Sequence, residues 1–383
     1  MEHFITKVRI DKLRHLENID IVLPDDERRN LLLTGKNGSG KTSLLEALSE
    51  CLRASTSPLK QGKGKNVLND MYSRERAYIG VKIDFNFEND LKRKFDSGEF
   101  ITAYFPANRR LNIILANGVE NIKLDKNYEF FKDPTPNFVK YMVHLKTQQS
   151  YARTENEPKV EKEIQEWFNR FEKALCILLE DETLKLNYDY KNYNFLIHQK
   201  RHLPFGFNEL SDGYSSVIKI MSGLILRMEQ DWLLKGKLSD YNFEGIALID
   251  ELETHLHIEL QRKILPFLTT FFPRIQFIIS THSPYILTSV SNATIFDLEK
   301  KVTFNDMSNY SIDNVAEAYF DSEDYSVELE QKLSEYKSLL KKSDPTEEER
   351  IRRAELRTEL KNINSTLSSR IKSEFEEIEA RRK

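Results

Sequence analysis

With 383 residues, 39% hydrophobic and 31% charged, the chain allows two or three domains with a sizeable core. Its net charge of -4 excludes a global basic bias toward nucleic acid, though not a local basic face. Two cysteines, Cys51 and Cys176, leave no disulfide framework or zinc site, and Cys176 falls on an apolar helical face that suggests core packing.

Residues 4–10 alternate as Phe-Ile-Thr-Lys-Val-Arg-Ile and predict a strand. The turn Lys12-Leu-Arg-His-Leu-Glu-Asn follows, then a second strand from Ile19 to Leu23. Arg14 and His15 lie in that turn, either as plain turn residues or as phosphate or adenine contacts. A polar loop from Pro24 leads to the apolar run Leu31–Leu33, a buried strand. The next stretch, Gly35-Lys-Asn37-Gly38-Ser39-Gly40-Lys41-Thr42-Ser43, fits G-x-x-x-x-G-K-[ST]. Leu44, Leu45 and Leu48 then recur at helical spacing, so the glycine-rich turn sits between a strand and a helix, as the motif requires. The glycines let the backbone wrap a phosphate chain, and the helix N-terminus adds positive partial charge. This pattern predicts that Lys41 reaches the β- and γ-phosphates of ATP and that the Thr42 hydroxyl sits on Mg²⁺.

Residues 54–76 are rich in Ser, Lys, Gly and Asn and read as a loop, with local positive charge from Lys60, Lys63 and Lys65. Strands are expected at 78–87 and from Phe100 to Pro106, the latter running into Ala107-Asn-Arg-Arg. Between 137 and 205 the texture turns helical. Phe138, Tyr141, Met142 and Leu145 share one face; Ile164, Trp167, Phe168, Phe171, Leu175, Leu178 and Leu179 share another, an aromatic stripe read as core. Alternation around Lys191-Asn192 predicts a hairpin. Residues 206–300 return to α/β texture, with nearly all-apolar runs at Gly245–Ile249 and Ile275–Ile279 that suit central parallel strands. Beyond Glu323 the chain is charged helix. One stripe is Leu329, Leu333, Tyr336 and Leu340; the other runs Leu356, Leu360, Ile363, Leu367, Ile371, Phe375 and Ile378. Between them Asp344 suits an N-cap, Pro345 the first helical position and Glu347 a capping box. Such an α-hairpin packs its stripe on the sibling helix, another subunit or a partner protein.

Three further stretches carry chemistry. Asp250 and Glu251 follow a buried strand, where paired acids are costly unless functional. Asp250 is expected on the metal and Glu251 as general base for the attacking water. His282, in Ser-Thr-His-Ser-Pro past another buried strand, suits the γ-phosphate or that water. Leu210-Ser211-Asp212-Gly213 opens an amphipathic helix and offers a second phosphate-binding cap.

The order of these motifs resembles ABC-type ATPase heads of the SMC, RecF and OLD group, and in particular compact AAA-family ATPases of bacterial phage-defence operons. The residues that carry the likeness are Leu210-Ser-Asp-Gly-Tyr, Ile249-Asp-Glu-Leu-Glu-Thr-His-Leu-His and Ile279-Ser-Thr-His-Ser-Pro, together with the opening strands. It covers about residues 1–300 and not the C-terminal helices. The resemblance implies an α/β fold: an ABC-type P-loop ATPase head with an inserted helical lobe and a C-terminal helical hairpin. The expected divisions are 1–136 and 206–300 for the ATPase lobe, 137–205 for the inserted lobe and 301–383 for the helical region. It also implies a homodimer or higher oligomer that sandwiches ATP and Mg²⁺. Lys41, Thr42, Asp250, Glu251 and His282 would then act from one copy, with Ser211 and Gly213 from the other. Asp212 replaces the first glycine of the family's Leu-Ser-Gly-Gly-Gln, and His257 replaces the usual Asp of the loop after the acids. These departures leave slow or gated hydrolysis open. The glutamine expected where the sheet hands over to the lobe is best matched by Asn108 or Arg109, then by Gln148 or Gln149.

A regulatory ATPase in a defence complex is the leading reading, with a separate effector protein, a nuclease or toxin. No acid-bearing α/β domain follows the head, so an OLD-type nuclease within the chain is not expected. The alternative is a DNA-repair or chromosome-type ATPase that binds DNA directly. With no signal-type N-terminus and no apolar run of membrane length, a cytoplasmic location is expected, with no membrane partner and no fused transmembrane unit.

Overall fold

Two kinds of apolar run build two kinds of sheet. In the computed structural model, β1 (Ile5–Leu13) and β2 (Leu16–Val22) mix buried residues with exposed or half-buried ones, and they pair antiparallel with each other. β4 (Val81–Phe85) pairs with β1, completing a three-stranded sheet in the order β2-β1-β4. By contrast β3 (Asn30–Thr34), β8 (Glu244–Ile249), β9 (Ile275–Ser280) and β10 (Ala293–Asp297) are buried at every position. They form, with β5 (Phe100–Phe105) and β11 (Val302–Phe304), a six-stranded sheet in the order β11-β10-β3-β9-β8-β5. All pairings in it are parallel except β10 with β11. Parallel strands covered on both faces are mostly apolar, which is why these runs do not alternate.

The structure describes residues 2–56, 80–87, 90–120, 122, 124, 128, 132–200, 202–229, 241–312, 315, 327–342, 345–361 and 375–379. The loop expected at 54–76 therefore lies outside the described residues, with Lys60, Lys63 and Lys65, except that α1 (Lys41–Thr56) runs into its start. The chain divides into two units, 1–312 and 313–383. The sheet extends past residue 300 through β11, so the first unit includes residues assigned by sequence to the C-terminal region.

Within the first unit, α2 (Leu91–Asp96) precedes β5. α3 (Phe138–Thr154) and α4 (Pro158–Leu178) lead to the hairpin β6 (Lys185–Asp189) and β7 (Asn194–His198). The aromatic stripe is core: Trp167 and Phe171 stack at 5.6 Å, and Phe138 meets Phe171 edge-on at 5.2 Å. α5 (Asp212–Met228), α6 (Ile258–Phe271) and the single turn α7 (Pro284–Leu287) complete the unit. Both cysteines are free and half-buried, and burial pushes the Cys51 thiol up to about 11. Among the described residues, no helix is long and apolar enough to cross a membrane.

The second unit contains α8 (Val327–Lys341) and α9 (Glu347–Lys361). Leu333, Tyr336 and Leu339 pack on Leu356, Leu360 and Phe375, so at these positions the stripe is covered within the unit, while Ile363, Leu367 and Ile371 lie outside the described residues. Asp344 lies outside the described residues, and Glu347 is not the capping-box acid. Thr346 N–H donates to Glu349 at 3.0 Å and Glu349 N–H donates back to the Thr346 hydroxyl at 3.3 Å. The box starts at Thr346 because Thr and Glu stand there at the required spacing of three, satisfying two N-terminal donors reciprocally.

Candidate nucleotide site

Parallel register places three loops on one edge of the sheet. Leu33 of β3 pairs with Ser280 of β9, and Ile249 of β8 pairs with Ile279. The loops after β3, β8 and β9 therefore leave the carboxyl edge together. Gly35, Gly38 and Gly40 have φ of 131°, 85° and 97°, a region L side chains rarely enter. A Cβ on Gly35 would lie 2.9 Å from the Ser39 hydroxyl, and one on Gly40 3.0 Å from Leu16 and 3.4 Å from His15. The β1–β2 turn thus packs beside the loop with His15 against Gly40, while Arg14 is exposed at φ 54°. Lys41 opens α1, buried, and its ammonium donates to the Gly35 carbonyl at 2.8 Å and the Lys36 carbonyl at 3.0 Å. Burial lowers its pKa, against the pull of Glu251, Glu253 and Asp250. Asn37 and Gly38 are exposed, Ser43 is buried in α1, and the buried Ser39 hydroxyl has no partner among the described residues.

Asp250 joins two of these loops. Its Oδ2 accepts from the Thr42 hydroxyl at 2.9 Å and its Oδ1 from the Ser280 hydroxyl at 2.5 Å. Ser280 in turn accepts from the Glu251 N–H at 2.7 Å. Glu251 has φ 46°, a strained conformation for a non-glycine residue, and its carboxylate accepts from the Thr254 hydroxyl at 3.3 Å. Glu253 accepts from the His282 N–H, and burial pushes its carboxyl above the ordinary value. Burial and the neighbouring Lys41 charge push the His282 imidazole down, against Glu251 and Asp250, so the ring is neutral at pH 7.

Lys41, Thr42, Asp250, Glu251 and His282 are thus assembled by three adjacent loops. Ser211 and Asp212 are instead exposed at the start of α5. Gly213 meets the loop after the acids: a Cβ there would lie 2.6 Å from the His255 carbonyl. Tyr214 stands edge-on to His257 at 6.0 Å. Gln149 is bonded to Gln165 and Lys146 within the helical lobe. Asn108 is exposed, and Arg109 is buried with its guanidinium on the acidic loop.

Sequence reasoning missed Ser280 and Glu253 as site residues. Ser280 carried a signal, a small hydroxyl directly after the apolar run Phe277–Ile279. Glu253 carried only its place two residues beyond the acid pair.

The strand–glycine loop–helix with its buried lysine and Thr–Asp pair defines a P-loop domain of the ATPase class. With its antiparallel side sheet and Leu-Ser-Asp-Gly helix, it is an α/β domain of the ABC type. Residues 106–288 match the family described as "AAA domain, putative AbiEii toxin, Type IV TA system". The chain is similar to "Septu protein PtuA" of Bacillus mycoides (strain KBAB4), at 24% identity over 96% of this chain and 51% of that protein. It is also similar to "Retron Vc95 probable ATPase" of Vibrio cholerae serotype O1 biovar El Tor, at 24% identity over 70% of this chain and 68% of the other. The chain spans about half the length of the Bacillus mycoides relative. Among solved structures, an SMC head bound to the C-winged helix domain of ScpA aligns at 11% identity and a TM-score of 0.39, over 77% of this chain and 93% of that one.

Proposed function

We propose that this chain binds and hydrolyses ATP with Mg²⁺ as the regulatory ATPase of an anti-phage defence system, acting on a separate effector. The hydrogen-bond series Thr42–Asp250–Ser280–Glu251 is the observation that carries the reading, because it ties the glycine loop to both acids through 2.9, 2.5 and 2.7 Å contacts. The Thr42 hydroxyl and Asp250 carboxylate are hard oxygen donors, the set that suits Mg²⁺. When bound, that ion neutralises phosphate charge.

In this reading the P-loop amides and Lys41 hold the phosphates. Glu251 takes the proton of the attacking water, and the neutral His282 orients water or γ-phosphate. Ser211, exposed at the start of α5, serves a second copy across a shared site, which supports a homodimer around ATP. The similarity to proteins named for Septu and retron systems supports the defence role.

Lys41→Ala is expected to lose ATP binding. Glu251→Gln is expected to keep binding, lower turnover by about 10² or more and accumulate an ATP-bound dimer. Unchanged turnover in Glu251→Gln removes Glu251 as the base. Mixing Ser211→Ala with Lys41→Ala protomers is expected to restore turnover through one intact composite site; no restoration counts against a shared site.

A further inference from the structure

Two buried arginines in the first unit have nearly the same chemistry and different tasks. Arg227, on α5, donates to the carbonyls of Thr102, Gly223 and Lys132 at 3.1, 3.0 and 2.6 Å. Those acceptors lie on separate elements, so Arg227 cross-links the fold. Arg109 donates to the carbonyls of Asp250, Glu251 and Leu252 at 2.6, 2.9 and 3.0 Å, three consecutive residues of the acidic loop. A fourth bond, 3.2 Å to the Pro106 carbonyl, anchors the guanidinium to its own strand end. Burial lowers both arginines to about 10, so both remain charged at pH 7.

The loop that Arg109 grips holds its strained residue, Glu251 at φ 46°. Such a conformation persists only where surrounding contacts over-determine it. From one side, Ser280 holds the Glu251 N–H at 2.7 Å. From the other, Arg109 holds its carbonyl. A cavity of about 120 Å³ lies beside Arg109, lined also by Asn108, Arg110, Asp212, Ser216 and His255.

Arg109 is also the end of a strap. Leu111 N–H donates to the Ser215 hydroxyl at 2.9 Å, and Ile113 exchanges two 2.9 Å bonds with the Asn208 side chain. Lys219 donates to the Arg110 carbonyl at 3.2 Å. Segment 106–113 is thus bonded at one end to the loop of the acids and along its length to the Leu210-Ser-Asp-Gly region and α5.

We propose that Arg109 is a positioning residue that holds the Glu251 backbone in its working conformation and couples it, through segment 106–113, to the helix that begins at Ser211. The inference rests on the ATPase reading above. Its guanidinium acts on peptide carbonyls and leaves the nucleotide to the P-loop. Lysine at this position keeps the charge but cannot span three carbonyls in a planar fork.

The test compares Arg109→Lys with Arg227→Lys in the full chain. Each is measured for ATP affinity with a fluorescent ATP analogue, kcat, Tm and amide exchange across 250–256. Arg109→Lys is expected to lower kcat about 10- to 100-fold, keep ATP affinity within about twofold and accelerate exchange at 250–256. Arg227→Lys is expected to lower Tm with kcat unchanged. Wild-type kcat and exchange in Arg109→Lys overturn the proposal, as do parallel losses of kcat, affinity and Tm in both variants. Should Arg109→Lys not fold, the double variant Asn208→Ala, Ser215→Ala decides. It keeps Arg109 and frees the strap, so a several-fold loss of kcat at unchanged ATP affinity supports the coupling, and wild-type kcat overturns it. A wild-type protein that binds ATP without turning it over sinks the ATPase reading instead, and the exchange measurement then judges Arg109 on its own.

Discussion

Strand β8 carries a carboxylate at each end, and the chain treats the two in opposite ways. Glu244, its first residue, is met by Lys94 at 2.9 and 3.0 Å, His3 at 3.1 Å and Arg274 at 2.5 Å. Burial works to raise the Glu244 pKa, but Lys94, His3 and Arg274 outweigh it and the net shift is downward. Asp250, just past the other end, is met by two hydroxyls and has no ion-pair partner within 4 Å among the described residues. Glu251 and Glu253 crowd the same edge. The nearby Lys41 ammonium and the Nη1 and Nη2 groups of Arg109 donate to carbonyls, while Arg109 Nε has no partner among the described residues. A buried charge is tolerable when it is paired. One end of β8 supplies its own counter-charge, and the other presents hydroxyls and acids suited to a cation from outside.

The sharpest test of that contrast is Glu244→Ala. Removing the carboxylate takes a shared acceptor from Lys94, His3 and Arg274 and is expected to cost about 3–5 kcal/mol of stability, read as a lower denaturant midpoint. ATP turnover per folded molecule should stay within about twofold. A large loss of turnover in the folded fraction would show that the two ends are not independent. Glu251→Gln is the mirror image, with turnover down about 10²-fold, or close to 2.7 kcal/mol, and Tm nearly unchanged. Ser280→Ala should come next. It strips a hydroxyl from Asp250 and leaves the Glu251 N–H unbonded, a cost of about 1–3 kcal/mol. Weaker Mg²⁺ dependence and roughly tenfold slower turnover are expected; unchanged kinetics would reduce Ser280 to a strand residue.

The smallest effect concerns Glu253. Its carboxyl is pushed up by burial, so the folded chain holds that proton more tightly than the unfolded one. The charged form then costs stability at pH above the folded value, and the cost vanishes below the ordinary value of 4.5. Glu253→Gln should therefore melt higher than wild type at pH 8, with the gap closing below pH 4.5. A lower Tm at pH 8 would mean that the bond from the His282 N–H needs the carboxylate charge.

The parts of this molecule that could be read without coordinates are those set by near neighbours. Gly35, Gly38 and Gly40 bend the backbone through positive φ because they lack a Cβ, and their spacing alone announces the loop. The nearly all-apolar runs of β8 and β9 announce strands covered on both faces. The capping box is equally local, yet Asp344 and Thr346 both fit the N-cap chemistry, and the structure forms the box at Thr346, two residues after the position the pattern suggests. Gly213 reads as part of a phosphate cap, and the fold adds a second need for glycine there, since a Cβ would lie 2.6 Å from the His255 carbonyl. The C-terminal stripe could face a sibling, another subunit or a partner, and periodicity does not distinguish these.

Sequence by itself determined the P-loop, the acid pair at the end of a buried strand and the histidine beyond the next one. Each follows from backbone sterics and burial within a few residues. Only the tertiary structure decided that Ser280 bridges Asp250 and Glu251, that Glu253 holds the His282 backbone and that Arg109 spans three carbonyls more than 140 positions away. Those contacts come from parallel register, which aligns strand ends distant in the chain, and no local pattern encodes which side chains that alignment brings together.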